Sequence, residues 1–470
     1  MKTLFLLLLS LIHIVAIKAQ ETWTLKQCVE QALKNNLQIK QSAYNKESAK
    51  RSMEQSYANT LPTINGFATH TYNFGQTIDP FTNQFASQQV RSNSLGLNGQ
   101  LVLFNGLQNV HSIQQNKLAY TASEFDLQKT KNDISIAVAS AYLQVIFAEE
   151  QFANLSSQAA LTLQQRNRIE KLYHAGSLAK SALLDIEAQL ALEELQVVNS
   201  ENQVNLSYLN LKQLLEIDPT SPIRLEKPEI HSMEAYLPPQ TAAGIYETSL
   251  EKMPEIKSAE YKYYASKKRL AASRGSMSPR LTLSGNYGSG YSGLQKEITG
   301  ITLSGTDTIG FTGSGDFVYQ PKYTFQTQPK SFNDQLRDNI NRSIGFTLTI
   351  PIFNGWTTKT NISIAKLTMQ GNELTLEQTK RQLQKNVQTA HADVLAAFQK
   401  YKASNKSFLA FKESFTYASS RFEQGVINAI EFNDAKNKLI KSESEWVQAK
   451  YDLLFKIKIL EFYSGNPIEF

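Results

Sequence analysis

Leu101-Val102-Leu103-Phe104-Asn105-Gly106 closes one alternating apolar run, and Ile350-Pro351-Ile352-Phe353-Asn354-Gly355 closes another. Phe353 follows Phe104 by 249 residues, and Gly425 follows Gly176 by the same interval. At that offset Val138, Ala141 and Val145 fall on Val387, Ala390 and Val394, Asp185 on Asp434 and Leu190 on Leu439. A period this long is no solenoid unit of 20–50 residues. It predicts a duplicated half, with a first repeat over 20–245 and a second over 246–470.

Upstream of each Asn-Gly pair the pattern is that of strands. Leu95, Leu97, Leu101 and Leu103 alternate with Ser94, Gly96, Asn98, Gln100 and Val102. Ile344, Phe346, Leu348, Ile350 and Ile352 alternate with Gly345, Thr347 and Thr349. A period of two gives a strand one apolar face. With Thr63–Gly75 and Arg280–Tyr291 as partners, these runs predict strand hairpins over 61–104 and 279–353. Their length suits a tilted bilayer-crossing strand, though a soluble hairpin packed on a core alternates in the same way. The glycine-rich connection from Ser292 to Asp338 reads as a mobile loop and carries no phosphate-binding glycine motif.

Downstream of each pair the pattern is helical. Leu107–Ala175 contains neither glycine nor proline, and Trp356–Gln424 contains only Gly371. Ile134, Ala137, Val138, Ala141, Tyr142, Val145 and Ile146 form one apolar stripe. At 1.5 Å per residue each helix is roughly 100 Å long. The returning segments, Ser177–Glu216 and Val426–Glu461, are too short to retrace it. The helices ahead of the strands, Leu25–Thr60 and Tyr246–Ser276, supply the missing length. Each long helix is therefore expected to pair with two shorter ones stacked end to end, with a proline-rich equatorial linker at 218–239 between the repeats.

Residues 1–19 read as a signal peptide, with Lys2, the apolar stretch Leu4–Ile17 and Ile17-Lys18-Ala19 before Gln20. Without Lys2 and Lys18 the formal charge falls from +6 to +4, and no basic block interleaved with aromatics points to nucleic acid. No later stretch approaches the ~20 apolar residues of a spanning helix, so any crossing uses β-strands. Cys28 stands alone and not in a lipid-attachment motif, which excludes an intrachain disulfide. His70, His111, His174, His231 and His391 lack metal-ligand spacing, and no nucleophile elbow occurs. The reading is of a protein that is not an enzyme and needs neither cofactor nor metal.

The two Asn-Gly strand ends, together with Tyr173-His174-Ala175-Gly176-Ser177 and Phe422-Glu423-Gln424-Gly425-Val426, resemble the TolC family of outer-membrane channels over almost all of 20–465. That resemblance implies a mainly α fold with a membrane β-barrel portion: long antiparallel coiled-coil helix pairs, four strands per chain and two tandem repeats. It implies a homotrimer that completes the barrel and the periplasmic tunnel, and placement among outer-membrane lipids. The implied partners are a periplasmic adaptor and an inner-membrane transporter. Independently, four strands leave two edges that lipid cannot satisfy, so several chains must close the sheet.

Glu431 and Asp434 lie three apart on one helix face, with Asp185 as the first-repeat counterpart of Asp434 and Ala182 in place of Glu431. The resemblance makes them a cation-attracting entrance; the plainer alternative is that acids near a helix start favour its dipole. Tyr173 and Phe422 precede their glycines by three, where the family places an aromatic among the links that close the entrance. Leu178 and Ile427 stand where a basic residue takes part, so the expectation is a more hydrophobic constriction or, more plainly, the packing of a tight turn. Gly176, Ser177, Leu178, Gly425, Val426 and Ile427 form the expected adaptor-docking tips, the glycines allowing a sharp turn and close approach. Phe104, Asn105, Gly106, Phe353, Asn354 and Gly355 form the strand-to-helix junctions. The competing class is a secreted coiled-coil scaffold or adhesin. A channel gives a heat-modifiable oligomer in outer-membrane extracts and conductance in planar bilayers; the scaffold gives neither.

Overall fold

The computed structural model describes residues 22–86, 89–227 and 241–466. The expected leader at 1–19, the linker from 228 to 239 and His231 lie outside the described residues. The first repeat runs β1 (Thr22–Trp23), α1 (Leu25–Asn35), α2 (Leu37–Ala58), β2 (Thr63–Asn73), β3 (Thr77–Ile78), β4 (Phe85–Ala86), β5 (Val90–Phe104), α3 (Gln108–His174), α4 (Lys180–Leu215) and β6 (Arg224–Leu225). The second runs α5 (Ala242–Lys252), α6 (Pro254–Gly275), β7 (Arg280–Ser292), β8 (Lys296–Phe311), β9 (Phe317–Pro329), α7 (Phe332–Asp338), β10 (Asn341–Thr349), α8 (Thr357–Glu423) and α9 (Ala429–Tyr463). The elements match in length between repeats: 11 and 22 residues ahead of the strands in both, and 67 in each long helix.

Three expectations need correction. The helices ahead of the strands are each broken in two. At Asn36 the side chain competes with the backbone: Nδ2 donates to the Leu214 carbonyl (3.1 Å) and Oδ1 accepts from Gln38 N (2.9 Å). In the second repeat the break falls at Met253, before Pro254, which lacks an amide donor. The glycine-rich connection is not a mobile loop. It forms the long antiparallel hairpin β8–β9, running from Lys296↔Pro329 to Phe311↔Phe317, followed by α7. Three register shifts, each at a glycine, let this hairpin absorb residues that alternation alone misreads as disordered. β10 also stops at Thr349, ahead of Pro351.

The chain divides into two compact units, one of residues 51–117 and 265–369 and one of the remainder. The first carries a four-stranded antiparallel sheet in the order β10-β7-β5-β2. Its register sorts chemistry by row. Asn65, Asn98, Asn286 and Ser343 share one row, and Thr63, Gln100, Ser284 and Gly345 another, on one face. The opposite face carries Leu97 with Tyr287 and Leu283 with Phe346. These apolar side chains cover no core in the single chain: Ile344 is 81% exposed, Phe346 69% and Leu348 60%. At the end of the sheet away from the long helices, Gln335 of α7 is buried. Its Oε1 accepts from Ser292 N (2.8 Å), and its Nε2 donates to the carbonyls of Ser292 (3.0 Å) and Lys330 (2.9 Å).

The helical unit holds the apolar core. Val138, Val145 and Ile146 of α3 pack with Leu383, Val387 and Val394 of α8 in one buried cluster. The short elements join it: Cys28 of α1 is fully buried, and burial pushes its thiol up to about 12. Tyr142 donates to the carbonyls of Trp23 and Glu226, beside the parallel pair β1–β6. α3 and α4 run antiparallel, joined where Tyr208 donates to Glu149 (2.5 Å) and Arg166 reaches Glu187 (2.9 Å).

Toward the hairpin ends this core gives way to a polar seam. On α4 the buried residues Ile186, Glu193, Ser200 and Ser207 follow one another at heptad spacing. Lys436 of α9 is buried against Glu193, with Nζ 3.2 Å from Oε1, and also contacts Thr162 Oγ1 and the Gln158 carbonyl of α3. Gln189 adds a donor to Glu193 at 2.8 Å. Burial pulls the Lys436 ammonium below its ordinary pKa against the opposing pull of the Glu193 carboxylate. Lys436→Met leaves Glu193 buried and unpaired, a loss of about 3–5 kcal/mol. Glu193→Leu with Lys436→Met removes both charges and should recover most of it. Denaturant midpoints of the three proteins check this; a single variant as stable as the parent rules out the pairing as a structural tie.

Candidate functional site at the hairpin tips and junctions

Both tips are built by the same hydrogen bonds. Gly176 N donates to the Tyr173 carbonyl (2.9 Å) and Ser177 N to Leu172 (2.8 Å); Gly425 N donates to Phe422 (3.0 Å) and Val426 N to Arg421 (2.9 Å). These six-to-one and five-to-two bonds close the last helical turn and need a left-handed residue at the glycine. Gly176 has φ +78° and Gly425 φ +76°. A side chain at either would meet nothing within 4 Å, so the turn conformation selects glycine and the expected close approach does not occur.

The tips differ in what they expose. Ser177 and Leu178 are exposed, as is Val426, but Ile427 is buried at 8% exposure, correcting the expectation that both apolar tip residues face outward. An apolar side chain that finds cover next to the turn leaves water, and Val426 alone remains for the second tip. Phe422 stacks on Phe432 (4.6 Å), which also meets Phe415 (5.5 Å). It is thus an aromatic packing residue of its own hairpin. Tyr173 is half-buried and lies beside the His174 ring at 5.4 Å.

The three candidate acids are all exposed, in different surroundings. Glu431 N donates to the Asn428 side chain (2.9 Å), and Asn428 Nδ2 donates back to Glu431 Oε1 (3.2 Å). Glu431 therefore helps cap α9, whose counterpart α4 starts at Ala179 with no side-chain cap. Asp434 pairs with Lys438 one turn along, at 2.6 Å. Asp185 lies in the first turns of α4. Sequence reasoning missed Lys438 although its i+4 spacing was visible. It also missed Phe432, and the Glu193–Lys436 node set about a dozen residues from the tips. Among the described residues no group of His, Cys, Asp or Glu could hold a metal ion, and no helix is long and apolar enough to cross a membrane.

At the junctions two consecutive residues turn left-handed: Gly106 (φ +65°) and Leu107 (φ +63°), then Gly355 (φ +61°) and Trp356 (φ +66°). Asn105 and Asn354 hold these turns, their Nδ2 atoms donating to Asn109 Oδ1 (2.9 Å) and Thr358 Oγ1 (2.5 Å). A side chain on Gly106 would strike the Gly275 carbonyl and Ser278, just ahead of β7, the neighbour of β5. On Gly355 it would meet nothing, because β10 has no strand on its outer side.

The outer membrane efflux protein profile matches residues 28–216 and 245–466. The probable outer membrane lipoprotein SilC of Salmonella typhimurium is 22% identical, the match covering 90% of this chain and 81% of SilC. Outer membrane protein OprJ of Pseudomonas aeruginosa is 23% identical over 90% of this chain and 80% of its own. The solved CmeC outer membrane channel of Campylobacter jejuni shares the fold, with a TM-score of 0.78 at 17% identity over 95% of this chain and 86% of CmeC. The profile spans both repeats and most of the sequence, and the chain belongs to the outer membrane efflux protein family.

Proposed function

We propose that three copies of this outer-membrane efflux channel protein close one twelve-stranded barrel and a shared helical tunnel. The conduit is passive, and it receives substrate from an inner-membrane transporter through a periplasmic adaptor. The carrying observation is the four-stranded sheet, which has an apolar exposed face, polar rows on the other face and unpaired edges at β2 and β10. Open edges are not tolerated in lipid, and an outward apolar band over a polar interior is how membrane barrels are built. The open space at Gly355, where Gly106 has a neighbour, supports closure of β10 by another copy. Planar-bilayer recording tests the reading: detergent-purified protein should form long-lived pores, and a monodisperse monomer without conductance would refute it.

At the entrance the proposed charges are Glu431, Asp434 and Asp185, with Lys438 opposing Asp434. Exposed pairs of this kind are worth about 0.2–1 kcal/mol. Glu431→Ala with Asp434→Ala should raise the concentration of multivalent cation needed to block the pore by about two- to fivefold, whereas Lys438→Ala should lower it. Single-channel block titrations distinguish these, and unchanged block in all variants would remove the entrance assignment.

The proposed adaptor contact is Ser177, Leu178 and Val426 at the turn, held by Gly176 and Gly425. Proline at both glycines deletes the closing amide donors and forbids positive φ. Gly176→Pro with Gly425→Pro should abolish export while oligomer remains in the outer membrane. Parental export from that double variant would contradict tip docking.

A further inference from the structure

Just beyond the helix-bearing end of the sheet lies a groove of about 430 Å³, lined by Met277, Ile352, Trp356, Lys359 and Ile362. Its walls come from the residues ahead of β7 and those after β10, which are neighbouring strands of one chain. The groove therefore lies between two strand roots of one protomer, one of them the root of the edge strand β10. Ile352 is 94% exposed and Trp356 60%. Past the end of β10, Ile350 and Ile352 are exposed like Ile344, Phe346 and Leu348, so apolar surface extends from the sheet to the groove.

The charge on the roots of β5, β7 and β10 is of one sign, while the root of β2 carries Glu54, paired with Arg51 at 2.8 Å. No Asp or Glu occurs in 80–123, 261–296 or 339–372. These stretches include those three strand roots and the adjoining helix turns, where Arg269, Arg274, Arg280, Lys359 and Lys366 are exposed. The carboxylates of β8, β9 and α7 (Glu297, Asp307, Asp334 and Asp338) belong to segments that leave from the other end of the sheet. Lys359 Nζ lies 3.9 Å from the Trp356 ring centroid, holding an ammonium at the mouth of an apolar cleft.

We infer that this groove binds an anionic glycerophospholipid of the periplasmic leaflet, with an acyl chain along Ile352, Met277 and Ile362 and the phosphate at Lys359. Trp356 sits at the depth where an amphipathic ring is favoured, between hydrocarbon and headgroup. A cation next to an anionic leaflet is worth about a fivefold gain in lipid affinity. Apolar continuity with the lipid face selects a chain-bearing ligand over a free phosphate, and the acid-free roots of β7 and β10 select an anionic headgroup over a zwitterionic one. The inference rests on outer-membrane placement and on Trp356 staying open beside the β10 edge, and is independent of the pump.

The test is quenching of Trp356 fluorescence by brominated-chain lipids. Trp23 and Trp446 are replaced by Phe in the full chain, which is reconstituted in phosphatidylcholine vesicles. Brominated phosphatidylglycerol should be preferred over brominated phosphatidylcholine by roughly fivefold at this site. Lys359→Gln should bring the ratio near one, while Lys322→Gln, on the β8–β9 hairpin, should leave it unchanged. Equal affinities in the parent, a ratio insensitive to Lys359→Gln, or a Trp356 that neither lipid quenches because protein covers it would each overturn the assignment.

Discussion

Unsatisfied backbone at the two borders of one sheet governs the rest of this molecule. β2 and β10 each present a row of amide and carbonyl groups with no strand partner among the described residues, in a sheet whose apolar side chains stand exposed. In water such borders invite promiscuous pairing, and in hydrocarbon each unpaired group costs several kcal/mol. The polar rows on the other face agree with this: carboxamides aligned across three strands, with Ser343 on the fourth, are acceptable against water and costly against lipid.

The helical unit distributes its cohesion unevenly. Around Val138 to Ile146 and Leu383 to Val394 the contacts are apolar, close-packed and shared by several helices. Between that core and the tips the buried positions include Glu193, Ser200, Ser207, Thr162, Gln158 and Lys436, with Ile169, Ile186 and Phe432 buried beyond them. Apolar burial gives stability without direction, whereas a buried ion pair specifies register and contributes little net stability. One region fixes the fold. The other ties α3, α4 and α9 together through Thr162, Glu193 and Lys436.

Much of this was legible before any coordinates. The Phe-Asn-Gly duplication located the junctions because a double left-handed turn needs a short polar residue followed by glycine, and period-two alternation located the sheet because one face meets apolar surroundings. The glycine-rich stretch misled because β8–β9 pairs across three irregularities, which erases the alternation that marks a strand. The helix break at Asn36 was hidden because asparagine is unremarkable in a helix until its carboxamide finds Leu214, 178 residues away. Lys436 drew no attention in the sequence, where a lone charge on a long helix is unremarkable; the clue was the heptad spacing of Ile186, Glu193, Ser200 and Ser207, whose meaning depends on a helix from the other repeat. At the tips the turn glycines were readable from residue type, while the burial of Ile427 and the stacking of Phe422 on Phe432 required the third dimension.

The hairpin inserted in the second repeat alone is tied at its base, where Lys330 N donates to the Gln295 carbonyl (3.0 Å) and Gln335 locks Ser292. Above that clasp nearly every residue of β8 and β9 faces solvent. Sequence drift in this arm alters neither the register of the sheet nor the packing of any helix. The arm thus hangs from a few backbone and carboxamide bonds, and its length is separable from the pairing that holds the four-stranded sheet.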